Sequence, residues 1–172
     1  VDKTGTLTEG EPAVTDVLPA GETREQELLA TAAALEQGSQ HPLARAILER
    51  AAGMTPPTVS DFTSVAGKGV SAVIDGARFH LGSLAYLRDA GVPVREADAQ
   101  ALLDQGKTVV GVGSVSRLLG LIAIADRIRA DSAAAVRRLH DMGVEVVMLT
   151  GDNRQTAQAI AEQAGIRHFV AE

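Results

Sequence analysis

The run VEVVML at Val144–Leu149, followed by Thr150-Gly151-Asp152-Asn153, constrains this chain more than any other stretch. A continuous Val-rich run is the pattern of a strand buried on both faces, as in a parallel sheet. A helical segment at about Ala130–Met142 precedes it, with Ala134, Leu139 and Met142 as inward positions and Gly143 as its C-terminal cap. A second helix is expected over Arg154–Gln163, ended by Gly165. Strand–helix alternation of this kind predicts an α/β fold, and Thr-Gly-Asp at a strand's carboxyl edge is where such folds place ligands. By itself, TGDN also reads as an ordinary helix start capped by Asp or Asn.

The middle of the chain reads differently. Glu25–Gln37 and Pro42–Ala52 are expected helices, split by Gly38 and the His41-Pro42 pair. Pro42 suits a first helical turn, where its missing N–H costs little. Asp75-Gly76, between two β-like runs, predicts a hairpin. Ser83 is placed to cap a short helix through Arg88, and another helix is expected over Glu96–Asp104. TVVGVGSVSRLLGLIAIA then reads as two strands. An antiparallel α+β domain inserted into the α/β domain accommodates this order. Residues 1–11 and 119–172 would form the outer domain and 12–118 the insert.

Composition narrows the partners. Net charge is −6 without a basic block, which argues against nucleic acid. Cysteine is absent, so no disulfide or thiolate metal site can form. Aromatics are 2%, so the core must be aliphatic. The longest apolar run, LLGLIAIA, is far short of the roughly 20 residues that span a bilayer.

The opening string Asp2-Lys3-Thr4-Gly5-Thr6-Leu7-Thr8 poses the chemical question. Asp2 can be a turn residue, a metal ligand or a nucleophile. An ionised Asp attacks phosphorus when Mg²⁺ and backbone N–H groups neutralise the phosphoryl oxygens, and Gly5 lets the backbone come close. The full string resembles the phosphorylation motif of P-type ATPases, ion pumps of the haloacid dehalogenase-like superfamily. That resemblance implies that Asp2 accepts the γ-phosphoryl of ATP, that Lys3 belongs to the catalytic loop, and that the Thr4 carbonyl and Asp2 bind Mg²⁺. Thr6 would help hold the loop. It also implies that Thr150 and Gly151 contact phosphoryl oxygens while Asp152 supports them, and that Asp126 and Arg129 of Asp126-Arg127-Ile128-Arg129 form a hinge. Related phosphatases carry a second Asp where this chain has Thr4, which cannot perform that proton chemistry near neutral pH. An aspartyl phosphate here should therefore persist, which argues against a soluble phosphatase.

EQGSQHPLARAI, residues 36–47, resembles the Ser-x-His-Pro motif of heavy-metal-transporting P-type ATPases. The resemblance implies that Glu36 and His41 bind adenine. Gly67, Gly69 and Val70 match the subgroup's Gly-x-Gly element, and Gly82-Ser83 falls where it has Gly-Asn. Read alone, Gly-x-Gly is more often a turn. The implied whole is the ATP- and Mg²⁺-using, cytoplasmic part of an integral membrane pump, copper-exporter-like, with zinc, cadmium or lead as alternatives. Its partners would be transmembrane helices and an actuator domain. The family continues with a phosphate-contacting Lys and a Gly-Asp-Gly-x-Asn-Asp motif, neither found after Ile166. The chain is thus expected to be a piece of a pump, a nucleotide-binding module that phosphorylates poorly alone, with a weakened α/β part and an open sheet edge.

Overall fold

The computed structural model describes residues 1–171. The expected outer range ends at Glu172, outside the described residues. In chain order, a tight turn over Lys3–Leu7 leads to β1 (Thr8–Pro19), α1 (Glu25–Glu36), α2 (Pro42–Arg50), β2 (Ser60–Val65), β3 (Gly69–Ile74) and β4 (Ala77–Gly82). There follow α3 (Leu84–Asp89), α4 (Ala97–Asp104), β5 (Thr108–Gly113), β6 (Leu118–Ile128), α5 (Ser132–Asp141), β7 (Val147–Thr150), α6 (Arg154–Ala164) and β8 (His168–Ala171).

Six strands form one antiparallel sheet in the order β1-β6-β5-β4-β3-β2. The Asp75-Gly76 hairpin forms as expected: both residues have positive φ, and Ile74 faces Ala77. Alternate residues of the strands point to opposite faces. Val110, Val112, Ile122 and Ile124 pack under α1 and α2 with Leu28, Leu29, Leu35 and Ile47. Val109, Leu121 and Ala123 pack under α3 and α4 with Leu84 and Leu102. The sheet is thus covered on both faces by aliphatic side chains. Each fully buried Leu or Ile contributes roughly 1.5–3 kcal/mol of transfer free energy.

The second unit is small and parallel. β7 pairs with β8 in parallel, and Val1-Asp2 runs beside β7 through a parallel bridge from Asp2 to Leu149. Both α5 and α6 cover one face, where Val136, Val146, Met148, Ala157 and Ile160 meet. The other face carries Val147, Leu149 and Val170, all exposed. The expectation of a strand buried on both faces is therefore corrected. β7 starts at Val147, and its side chains alternate because both neighbouring helices lie on the same side. The inward positions of α5 are corrected too. Ala134 is exposed, and Met142, beyond the helix end, is 76% exposed. The buried stripe is Ser132 and Val136, with Leu139 packed beside it, at i, i+4 and i+7. Gly143, with φ +77, ends the helix as expected.

β1 and β6 form a long ribbon that leads from the parallel unit into the six-stranded sheet. Its register slips between Thr8 and Pro12, opposite the Asp126–Ile128 end of β6.

Candidate functional site

Asp2 sits at the carboxyl end of its short strand. The Leu149 N–H donates to the Val1 carbonyl at 2.8 Å and the Val1 backbone nitrogen to the Val147 carbonyl at 2.8 Å. The chain then turns through Lys3–Leu7, closed by the Thr8 N–H donating to the Lys3 carbonyl, with Gly5 at φ +75. Asp2, Thr4, Gly5 and Thr6 are exposed, whereas Lys3 is buried.

The loop after β7 meets this turn. The Lys3 ammonium lies 2.6 Å from Asp152 Oδ2, with Lys3 7% and Asp152 34% exposed. The Asp152 N–H donates to Thr150 Oγ1 at 3.1 Å, which leaves the Thr150 hydroxyl hydrogen for another acceptor. Gly151 is exposed between them. Asn153, not Asp152, caps α6, accepting from the Thr156 N–H at 2.9 Å. Asp2, Lys3, Thr150, Gly151 and Asp152 thus lie on adjacent parallel strand ends.

Asp126 and Arg129 clamp the exit of the turn. The buried Thr8 hydroxyl donates to Asp126 Oδ2 at 2.6 Å, and the Gly10 N–H donates to Oδ1 at 2.9 Å. The Arg129 N–H donates to the Leu7 carbonyl and its Nε to the Thr8 carbonyl. The Ser132 hydroxyl donates to the same Leu7 carbonyl at 2.8 Å.

The remaining candidates lie in the larger unit, at the α1–α2 connection and around β3, β4 and the start of α3. Glu36 closes α1, is 6% exposed, and its Oε2 has no hydrogen-bond partner among the described residues. Burial raises its pKa, opposed by the Ser39 hydroxyl and the nearby His41 ring. His41 is exposed and caps α2: its Nδ1 accepts from the Leu43 N–H at 3.2 Å. That bond assigns the proton to Nε2, which faces outward from the cap.

Gly69 and Gly82 lie directly opposite each other in β3 and β4. A Cβ on either would come within 2.7 Å of Tyr86 Cδ1. Backbone carbonyls stand closer still, that of Leu81 to a Cβ on Gly69 and that of Lys68 to one on Gly82, so both positions must be glycine for packing, a reason the sequence did not disclose. Gly67, at φ +70, shapes the β2–β3 turn. Val70 points its side chain into the core, so only its backbone faces outward. The Ser83 hydroxyl caps α3 by accepting from the Tyr86 N–H at 3.2 Å. The structure brings Glu36 next to His41 and Gly69 next to Gly82. Beside the first pair stands Phe62 of β2, 43% exposed, whose ring lies 4.0 Å from where Gly38 would carry a Cβ.

A cleft of about 630 Å³ lies between the two units. Its walls include Lys3, Asp126 and Asp152 from the loops, Leu43 beside His41, and Lys107 and Thr156. Lys107 pairs with Asp16 at 2.7 Å, and this bond holds the Asp16 carboxyl below its ordinary pKa. Neither Lys107 nor Thr156 stands in a motif, so nothing in the sequence marked them.

A family model described as haloacid dehalogenase-like hydrolase matches residues 1–172. The chain is 46% identical over 170 residues to a copper-transporting P-type ATPase of Rhizobium leguminosarum bv. viciae, covering 96% of this chain and 20% of that protein. Among solved structures, a zinc-transporting PIB-type ATPase in its E2.Pi state aligns with a TM-score of 0.88 and 42% identity, over 99% of this chain and 28% of that one. The N-domain of a copper-transporting P-type ATPase aligns with a TM-score of 0.58 and 35% identity, over 66% of this chain and 99% of that domain. The chain therefore spans about a fifth to a quarter of the length of the relatives it matches. Among the described residues no helix is long and apolar enough to cross a membrane.

Proposed function

The chain belongs to the haloacid dehalogenase-like hydrolase family, and from that premise we propose that it is the ATP-binding and phosphorylation region of a membrane P-type ATPase that exports a heavy-metal cation. The observation that carries the reading is the placement of Asp2 beside Leu149 and Thr150, with Lys3 and Asp152 paired at 2.6 Å between the two loops. A carboxylate oxygen of Asp2 attacks the γ-phosphorus of ATP, the bond to the β–γ bridging oxygen breaks, and ADP leaves with the electron pair. The Thr150 hydroxyl and the exposed Gly151 backbone donate to the transferred oxygens. Lys3, held by Asp152, keeps a positive charge beneath the loop.

Mg²⁺ suits the donors here. Asp152 and Asp126 are committed to Lys3 and to Thr8 with Gly10. Asp2 and the Thr4 carbonyl remain, and Mg²⁺ is commonly held by one or two carboxylates with substrate phosphates and water. When bound, it would neutralise charge on the phosphoryl oxygens. Adenine would sit at Glu36 and His41, against the Gly67–Val70 and Gly82-Ser83 backbone. The large sheet would carry the nucleotide and the parallel unit the phosphoryl group, joined through Asp126 and Arg129. The parent's membrane helices and actuator domain would complete the pump on the cytoplasmic face. The copper and zinc relatives support a soft or borderline metal cargo without choosing between them.

A second reading rests on length: spanning about a fifth to a quarter of the relatives it matches, the 172-residue chain alone would bind nucleotide and transfer phosphate poorly. One experiment tests the main proposal: phosphorylation of the parent-length protein with γ-labelled ATP. Hydroxylamine-sensitive label that disappears in Asp2→Asn is expected. Label that persists in Asp2→Asn would sink the assignment. The same assay on this chain tests the second reading, which predicts little or no label.

A further inference from the structure

The chain holds four aromatic side chains, three Phe and one Tyr, and no Trp. Phe79 packs against the core under α1 and α2, and Phe169 against the core of the parallel unit. Tyr86 lies over Gly69 and Gly82. Phe62 belongs to none of the three cores of the described residues and stays exposed on the edge strand β2. An exposed apolar side chain by itself needs no explanation. Phe62 is set apart by how its strand is built and by what stands beside it.

β2 carries an extra residue at this point. Ser60 pairs with Val73 and Thr63 with Ser71, so Asp61 and Phe62 together face Ala72 alone. One added residue turns every later side chain of a strand to the other face of the sheet. Without the bulge, Phe62 would share the face of Ser71. With it, Thr63 takes that face and Phe62 is turned to the face of Ala72, under α1 and α2. Asp61 sits at φ +50, an uncommon conformation for a residue with a side chain. Arg78 of β4 holds it there. Its guanidinium donates to the Asp61 carbonyl at 3.3 Å, pairs with the Asp61 carboxylate, and donates to the Ser71 hydroxyl at 3.1 Å.

The ring so aimed meets the α1–α2 connection, at Gly38. Gly38 lies between Glu36 and His41. The Ser39 N–H donates to the Glu36 carbonyl at 2.9 Å and the His41 N–H to the Ser39 hydroxyl at 3.3 Å, which draws the connection tight. Glu36 is buried with Oε2 unpartnered among the described residues, and His41 turns Nε2 outward. A flat apolar face beside two hydrogen-bonding groups suits a flat heterocycle with polar edges, which is the chemistry of a purine base.

We propose that Phe62 is the stacking face for the base of the bound nucleotide, and that the Asp61 bulge, held by Arg78, aims it. This rests on the reading of Glu36 and His41 as an adenine site. Phe62 touches the base. Arg78 is a positioning residue, acting through Asp61 from the opposite face of the sheet.

Because the chain has no Trp, Phe62→Trp places a single reporter where the base stacks. ATP should quench its fluorescence, with the half-saturation that calorimetry gives for the same variant. Phe62→Leu, at an exposed position and checked by a thermal melt, should weaken ATP binding about tenfold or more. Arg78→Gln should weaken binding several-fold by itself and add nothing in Phe62→Leu. Undiminished ATP binding by folded Phe62→Leu, or fluorescence of Phe62→Trp unmoved by saturating ATP, would overturn the stacking assignment alone. ATP binding absent from the unsubstituted chain would overturn the Glu36–His41 reading, and this inference with it. Equal losses from Arg78→Gln in both backgrounds would overturn the aiming role.

Discussion

Lys3 and Asp152, 149 positions apart in the chain, meet at 2.6 Å and tie the turn after Asp2 to the loop after β7. The pair is lopsided, with Lys3 buried and Asp152 a third exposed. Removing the acid strands a buried ammonium, whereas removing the lysine leaves a carboxylate that water can reach. Asp152→Ala should therefore cost about 2–4 kcal/mol of stability and Lys3→Met about 1 kcal/mol or less. Urea melts of both variants check this, and equal losses would contradict it.

The Thr8–Asp126 bond should act as a local strut. Thr8→Val preserves shape but leaves Asp126 Oδ2 without its donor in a part-buried site. We expect a loss of about 1–3 kcal/mol and faster hydrogen exchange at the Gly10 amide, which shares that carboxylate. Thr8→Ser should recover most of both. Unchanged exchange at Gly10 in Thr8→Val would show that Asp126 holds the loop without Thr8.

Glu36 should make stability fall with rising pH. Its folded pKa is raised, chiefly by burial, so the folded state binds a proton that the unfolded chain has released. The contribution is fully present below the ordinary glutamate pKa and is lost as pH rises through the raised value. Glu36→Gln removes this dependence. Its stability relative to the unsubstituted chain should grow from acidic to neutral pH in denaturant melts. A constant difference across that range would mean that Glu36 titrates in the fold as it does in the unfolded chain.

Asp16 should contribute in the opposite sense. The Lys107 bond lowers its pKa, so its contribution is present above the ordinary aspartate pKa and is lost as pH falls through the lowered value. With Asp16 a third exposed, Asp16→Asn should cost no more than about 1 kcal/mol at neutral pH. In acid the difference should vanish. A cost that persists in acid would point to lost packing instead of lost charge.

His41 does two jobs that substitutions can separate. Its ring caps α2 through Nδ1, and in the proposed function Nε2 meets adenine. His41→Ala should lose about 1 kcal/mol from the cap as well as the ring. His41→Asn keeps a strong cap and loses only the ring. Calorimetric ATP titration should therefore show an affinity loss on the order of tenfold or more in both, about 1.4 kcal/mol, with the melting temperature lowered only in His41→Ala. Normal ATP binding by His41→Asn would remove the ring from the pocket.

Much of this protein was legible in its residues because the signals are local. Capping by Ser83 and Asn153, the Asp75-Gly76 hairpin and the helix stop at Gly143 depend on bonds a few positions apart. The seven-residue string at Asp2 carries its own chemistry, so the candidate nucleophile was readable before any fold. The tertiary structure decided what distance in the chain conceals. Val147 and Leu149 belong to an apolar run, but their exposure depends on which side α5 and α6 occupy. Gly69 and Gly82 read as ligand-approach glycines in the sequence, and the fold adds a packing need for them, since strand carbonyls and the Tyr86 ring occupy the space a Cβ would take. Gly106 and Thr156 stand in no motif at all. A contact between residues fifty positions apart leaves no periodicity or spacing to read; it exists only once the α4–β5 turn has come to rest on α6.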